Sequence, residues 1–352
     1  MSTERTARSN WMLYGAYGTT GRLILDEALR RGHRPLLAGR DPARLRELRN
    51  DTGLDTVLLP LEDAAALRAT LSGMKCVLLA AGPYEQTGPP MRAACLDAGC
   101  SYLDINGELE DFSRALACDA EARAAGVAVI PGVGFGVVFG ESLAAQVTRR
   151  IPDASWLRLS LATQTAGRSR GATLSAAGAM AAGGRDINQG ALRNRAIASP
   201  TWRGPGADGS RLRFAAAPRA ELVAVQHSTG VRNIVAGIPM SLVAAAFVRL
   251  TAPWLGKVLA RQGTRLSSRT EPVPLEGATT LRSRVWAEAR NATGARVVAL
   301  LETGEGYRAA ADAAVRALEL QLREPRVGAL TPVQAFGAEF ALLVPDTRIQ
   351  EL

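Results

Sequence analysis

The chain has little of what metal, thiol or triad chemistry requires. Its only histidines are His33 and His227, and its four cysteines, Cys76, Cys95, Cys100 and Cys118, show neither C-x-x-C spacing nor a histidine partner. A zinc site and a Ser–His–Asp triad lack their material unless His227 serves alone, so no metal is expected. The thiols read as buried and reduced, and His33, in Arg31-Gly32-His33-Arg34, reads as structural. Lysine is almost missing: of 42 Lys plus Arg residues only Lys75 and Lys257 are lysine. The net charge of +9 is therefore carried by arginines spread along the whole chain, and the aromatics, 5% of residues, do not interleave with a basic stripe. Nucleic acid is not an expected partner. Long apolar runs are absent as well. Met1–Asn10 is polar, without the apolar core of a signal peptide, and the uncharged run 233–248 holds Pro239 and is followed by Arg249, Pro253 and Lys257. That run is too short and interrupted for a membrane span. It is read as a helix packing on a sheet or a partner subunit, with the wall of a hydrophobic tunnel as the alternative. A cytoplasmic location is the expectation.

What the chain does have is glycine at informative places. The apolar run Trp11-Met-Leu-Tyr14 breaks into Gly15-Ala-Tyr17-Gly18-Thr19-Thr20-Gly21, and a helical pattern with Leu23, Ile24, Ala28 and Leu29 follows. A buried strand, a glycine turn and a helix N-terminus together form a pyrophosphate site: glycines let backbone amides approach, and the helix dipole points its positive end at the same spot. The next strand, Pro35-Leu-Leu-Ala-Gly39, ends in Arg40-Asp41. NAD-specific sites place an acidic residue there for the ribose 2′-hydroxyl. Gly39 leaves room for a 2′-phosphate and Arg40 offers it a fork of donors, so NADP is the expected cofactor. Asp41 is expected to cap the helix starting at Pro42.

Strand and helix patterns then alternate. Strands are expected at 56–61, 76–81, 101–105 and 127–131, with helices at 64–71, 90–98 and 111–125. With the first two strands these make a doubly wound parallel sheet of the Rossmann type. Ligands bind beyond the carboxyl ends of such strands, so Gly15–Gly21, Arg40, Asp63, Ala81–Tyr84 and Gly107–Glu108 should converge on one crevice. After about residue 136 the pattern changes to a helix at 140–149 and alternating runs at 156–161, 222–226, 281–290 and 296–302, which suit a mostly antiparallel sheet with one wet face. A helix is expected at 169–182 and a mobile loop at 183–213. The expected division is a nucleotide-binding domain over 10–135, an α+β substrate and dimerisation domain over 136–328, and a C-terminal segment, 329–352, that returns to the first domain.

Taken together, Tyr14–Arg22, Leu37-Ala-Gly-Arg40, Ala81-Gly-Pro-Tyr84, Ala94–Gly99 with Tyr102–Glu108, Ile130–Phe135, Ser169-Arg-Gly171, Ser228-Thr-Gly230, Glu305–Arg308 and Thr331–Gly337 resemble the saccharopine dehydrogenase-like family, which includes saccharopine reductases and trans-acting enoyl reductases. The resemblance implies an NADP-binding Rossmann domain with phosphates held at the glycine turn and Arg40. It also implies Asp63 near the adenine and Ala81-Gly82-Pro83 beside the nicotinamide ribose. The chain departs from the family where related sequences follow Gly134-Phe135 with Asp: here Gly136 stands, and Phe139 replaces a proline. A Gly-Asp pair before Ser228-Thr-Gly230 is also missing. The substrate side is thus read as rewritten toward apolar residues, which suits a hydrophobic substrate better than an amino acid.

The expected activity is an NADPH-dependent reduction of a conjugated C=C or C=N bond in a hydrophobic, biosynthetic type of intermediate, free or bound to CoA or a carrier, by a homodimer. Two alternatives stay open: a redox-neutral cyclase, isomerase or lyase that retains NADP, and a non-enzymatic NADP(H) sensor. A conjugate reduction needs a proton donor. Tyr84 is the first candidate, with an aromatic wall on the cofactor as its plainer reading, and His227 is the second, with a satisfied sheet residue as its plainer reading.

Overall fold

The computed structural model describes residues 10–165, 183–205, 210–251 and 280–352. The expected parallel sheet is present. Its strands are β1 (Trp11–Tyr14), β2 (Leu36–Gly39), β3 (Thr56–Leu58), β4 (Cys76–Leu79), β5 (Ser101–Asp104) and β6 (Ala128–Ile130). With β15 (Gly328–Ala329) they lie in the order β15-β6-β5-β4-β1-β2-β3, and every pairing is parallel. Both faces are covered, so β1, β4 and β5 are buried at every position, as parallel strands under helices must be. The helices between them are α1 (Thr19–Arg30), α2 (Pro42–Thr52), α3 (Ala64–Leu71), α4 (Tyr84–Ala98), α5 (Leu109–Leu116) and α6 (Asp119–Ala125). β3 and β4 end before the expected 61 and 81, at Leu58 and Leu79, and two helix boundaries differ from expectation. The helix expected from 90 begins at Tyr84, with Pro89 and Pro90 inside it, and the one expected over 111–125 is broken at Ala117-Cys118.

α7 (Phe135–Thr148) follows β6 and joins the two halves of the molecule. Val137 through Ala145 are all buried, because it packs between the first sheet's layer and a second, mixed sheet. That sheet contains β7 (Ala154–Ala162), β8 (Gly184–Asn188), β9 (Ala191–Arg195), β10 (Thr201–Pro205), β11 (Arg211–Ala216), β12 (Asn233–Pro239), β13 (Ser283–Asn291), β14 (Arg296–Thr303) and β16 (Arg348–Glu351). Its path runs β10-β11-β12-β7-β13-β14-β16, and only β12 and β7 run parallel. One apolar cluster, from Leu13 and Ile24 through Phe139 to Leu159 and Leu318, runs continuously through both halves.

Several expectations for this second half are corrected. The loop expected over 183–213 contains the β8–β9 hairpin, β10 and the start of β11. β9 is exposed at all five positions, so no apolar alternation marked it, while Trp202 and Phe214 anchor β10 and β11. The strand expected over 222–226 lies in a helix, Glu221–Thr229, whose buried run Glu221–Val225 is ended by Gly230 in the left-handed conformation. A short continuous apolar run does not distinguish strand from helix. The run 233–248 splits into β12, ended by Pro239, and a helix over 242–251. On that helix Ala245 is buried but Leu242, Val243, Phe247 and Leu250 face outward. The helix expected at 169–182 lies outside the described residues. The C-terminal segment begins on the first sheet through β15 and ends on the second, where β16 pairs with β14.

Candidate nucleotide site and adjoining crevice

Three glycines bring β1 against α1. Gly15 sits at φ +87°, and a Cβ on it would lie 2.8 Å from that of Ala81; a Cβ on Gly21 would lie 2.2 Å from the carbonyl oxygen of Gly15. Neither place admits a side chain. Gly18 is the N-cap of α1 and offers no side-chain cap, and the first turn has no acidic residue. The amides of Thr19, Thr20 and Gly21 therefore open the helix without an internal acceptor, at the end that attracts anions.

The edge of this cradle is set by Tyr17. Its hydroxyl accepts from the amide of Arg40 at 3.1 Å. Its ring lies over Gly39, where a Cβ would come within 2.5 Å of it, and the Arg44 guanidinium sits 5.4 Å from the ring centroid. Arg40 and Arg44 are both exposed, so two guanidinium groups stand at the carboxyl end of β2. Asp41 is committed to α2, accepting from the amides of Ala43 and Arg44 at 3.0 and 3.2 Å. Arg44 was not singled out in the sequence. Its signal was there in Asp41-Pro42, which fixes the helix start and places Arg44 in the first turn. Asp63 caps α3 through the amide of Ala66 at 2.9 Å.

Across the sheet, Ala81, Gly82 and Pro83 follow β4. The carbonyl of Ala81 accepts from the Thr87 hydroxyl at 2.6 Å, which fixes this turn. Tyr84 opens α4 with its ring in the core, 7% exposed, and burial pushes its hydroxyl well above the ordinary tyrosine pKa. The β5 turn is built from buried acids. Asp104 accepts from the Tyr102 hydroxyl at 2.6 Å and from the amides of Asn106 and Gly132 at 2.8 and 2.7 Å, and burial lifts its carboxyl to about 6 against these bonds. Asn106 binds Asp111 and the amide of Glu108, and Glu108 accepts from the amide of Glu85 at 3.0 Å. Gly107, exposed between them, has open space where its Cβ would be. His227 lies elsewhere. It is six residues along its helix from Glu221, about 9 Å by the helical rise, and its carbonyl accepts from Gln334 at 3.2 Å. It is a helix residue and not a sheet residue.

The second half contributes an ion pair at this crevice. Arg219 binds Glu221 through Nε at 3.0 and 3.1 Å and through Nη2 at 2.6 Å. Glu221 is fully buried and the Arg219 side chain is 28% exposed. The adjoining amide of Ala220 donates to the carbonyl of Gly107 at 3.4 Å. The expectation of an apolar surface here is corrected by this pair: Glu221 stood just before the strand expected over 222–226, and the helix that replaces that strand turns its carboxylate inward. Among the described residues no group of His, Cys, Asp and Glu could hold a metal ion, and no helix is long and apolar enough to cross a membrane.

A glycine cradle, an uncapped helix start and paired arginines on a 3-2-1-4-5-6 parallel core suit a dinucleotide, and a family model described as NAD(P)H-binding matches residues 15–126. Over these residues the chain matches an NAD(P)H-binding family. The chain is 34% identical over 119 residues to a saccharopine dehydrogenase-like oxidoreductase of Arabidopsis thaliana, covering 29% of this chain and 26% of that protein. It is 41% identical over 105 residues to a trans-acting enoyl reductase of Mycobacterium ulcerans, covering 28% and 25%. The matched segment thus spans about a quarter of these relatives' lengths. The saccharopine dehydrogenase (L-Glu forming) of Saccharomyces cerevisiae shares the fold, with a TM-score of 0.65 at 12% identity over 98% of this chain and 100% of that one. The parallel sheet and the second mixed sheet are therefore found together in a solved structure.

Proposed function

We propose that the protein is an NADPH-dependent reductase of a conjugated C=C or C=N bond in a hydrophobic small molecule. The observation that carries the cofactor half is the pair Arg40 and Arg44 flanking Tyr17 at the end of β2, with Asp41 turned into a helix cap. Two guanidinium groups, with the Asp41 carboxylate taken up by the helix cap, favour a 2′-phosphate over a free ribose hydroxyl. The first-turn amides of α1 would hold the pyrophosphate, and Ala81-Gly82-Pro83 with Gly107 would border the nicotinamide ribose. When bound, the dinucleotide supplies the hydride. The protein's own residues would bind and orient it. Tyr84, with its ring in the core, serves best as the aromatic wall. The saccharopine dehydrogenase-like and enoyl reductase names of the relatives support the oxidoreductase reading.

Fluorescence titration with NADPH and NADH, followed by NADPH absorbance against hydrophobic enones, enoyl thioesters and cyclic imines, tests the reading. NADPH is expected to bind at least tenfold tighter than NADH and to be consumed with one of the three substrate types. Equal binding of both cofactors would refute the phosphate argument, and product formation without NADPH consumption would establish redox-neutral chemistry instead.

A further inference from the structure

Gly136 and Gly140 lie four residues apart on one face of α7, and both face Glu221. A Cβ on Gly136 would stand 2.2 Å from the Glu221 Oε1 and 2.6 Å from the Arg219 Nη2; one on Gly140 would stand 3.2 Å from the Glu221 Cγ. The two glycines form a groove that the buried carboxylate fills, and the guanidinium lies across the first turn of α7. This turn follows β6, and Ala220 touches Gly107 at the end of β5, so Arg219 stands where the second half meets the carboxyl ends of the first sheet. Glu221 engages Nε and Nη2. Nη1 makes no hydrogen bond among the described residues, and the side chain retains access to solvent.

A buried carboxylate that fixes a partly exposed arginine orients a donor. The pair is neutral overall, which suits a neutral carbonyl acceptor better than a free carboxylate. We propose that Arg219 binds the acyl carbonyl oxygen of the substrate through its Nη1 edge, with Glu221 as the positioning residue and Gly136 as the residue that makes room for both. This rests on the reductase reading and narrows its substrate to an α,β-unsaturated acyl compound, where a donor on the carbonyl oxygen also draws electron density from the β-carbon.

The test is calorimetric titration of the NADP⁺-saturated protein with S-(trans-2-octenoyl)-N-acetylcysteamine and with the thioether in which a CH2 replaces its carbonyl. The wild type is expected to bind the thioester at least tenfold tighter. Arg219→Met is expected to bring the two ligands to parity with NADPH affinity unchanged, and Glu221→Gln to give an intermediate preference. Should Arg219→Met fail to fold around the orphaned Glu221, the double variant Arg219→Met/Glu221→Gln removes the buried charge and gives the same reading. A thioester preference that survives in either Met variant, or a wild type that prefers neither ligand, overturns the assignment. A wild type that does not bind NADPH in a separate titration overturns the reductase reading itself.

Discussion

At the residue scale, Gly21 and Arg44 represent two kinds of legibility. Gly21 was visible in sequence because a three-glycine turn between an apolar strand and an amphipathic helix has few other uses. Its Cβ would meet the Gly15 carbonyl at 2.2 Å, and this is backbone, which cannot swing aside. Gly21→Ala is expected to force α1 off β1, weaken NADPH at least tenfold and lower the melting temperature by several degrees; unchanged affinity by fluorescence titration would contradict the packing argument. Arg44 was only half visible: Asp41-Pro42 sets it in the first turn of α2, but its role depends on the Tyr17 ring that lies over Gly39 and under its guanidinium, contacts between residues far apart in sequence. Arg40→Ala and Arg44→Ala are each expected to weaken NADPH by about tenfold, about 1.4 kcal/mol, and to leave NADH affinity nearly unchanged. A loss shared equally by both cofactors would place the two arginines away from the 2′-phosphate.

At the scale of elements, α4 and α5 are joined by a buried ion pair that no periodicity announces. Arg92 meets Asp111 at 2.9 and 2.7 Å, with side chains 4% and 0% exposed, and Asn106 donates to the same carboxylate at 2.9 Å. Gly88 leaves the space: its Cβ would lie 2.5 Å from the Arg92 Nη1 and 2.6 Å from the Asp111 Oδ2. The pair ties α4, which begins beside the Ala81–Pro83 turn, to the loop carrying Gly107, so it holds two edges of the crevice at a fixed separation. Removing one partner leaves an uncompensated buried charge. Asp111→Ala is expected to cost about 3–5 kcal/mol in denaturant unfolding, with Gly88→Ala destabilising in the same direction; a cost below about 1 kcal/mol for Asp111→Ala would show that water reaches the pair. The parallel strands of the first sheet were legible because each is a short apolar run between helix signals. The second sheet was less so. β9 is wholly exposed and β10 is short, and the Glu221–Thr229 helix presents five consecutive buried residues that read as easily as a strand.

At the scale of the whole molecule, α7 links the parallel-sheet half to everything after it, and Glu141 lies at its centre. Its side chain is fully buried. Oε2 accepts from the amide of Val333 at 3.1 Å, joining α7 to the C-terminal helix Pro332–Phe336, while Oε1 has no hydrogen-bond partner. Burial lifts its carboxyl to about 8, with the nearby Thr331 hydroxyl, the Val333 amide and the Ser228 hydroxyl offsetting part of the rise. The folded pKa is thus above the unfolded one, so the contribution to stability is complete below the ordinary carboxylate range and is lost as pH rises through about 8. Wild-type melting temperature should fall across this window, by an amount equivalent to at most a few kcal/mol for this group. Glu141→Gln keeps the shape and an acceptor for Val333 while removing the titration. Its melting curve is expected to match the wild type near pH 5 and to exceed it by pH 8, so that scanning calorimetry from pH 5 to 9 gives diverging profiles. Parallel profiles would mean that Glu141 is ionised and solvated in the folded protein, and that the junction between the two halves is open to water.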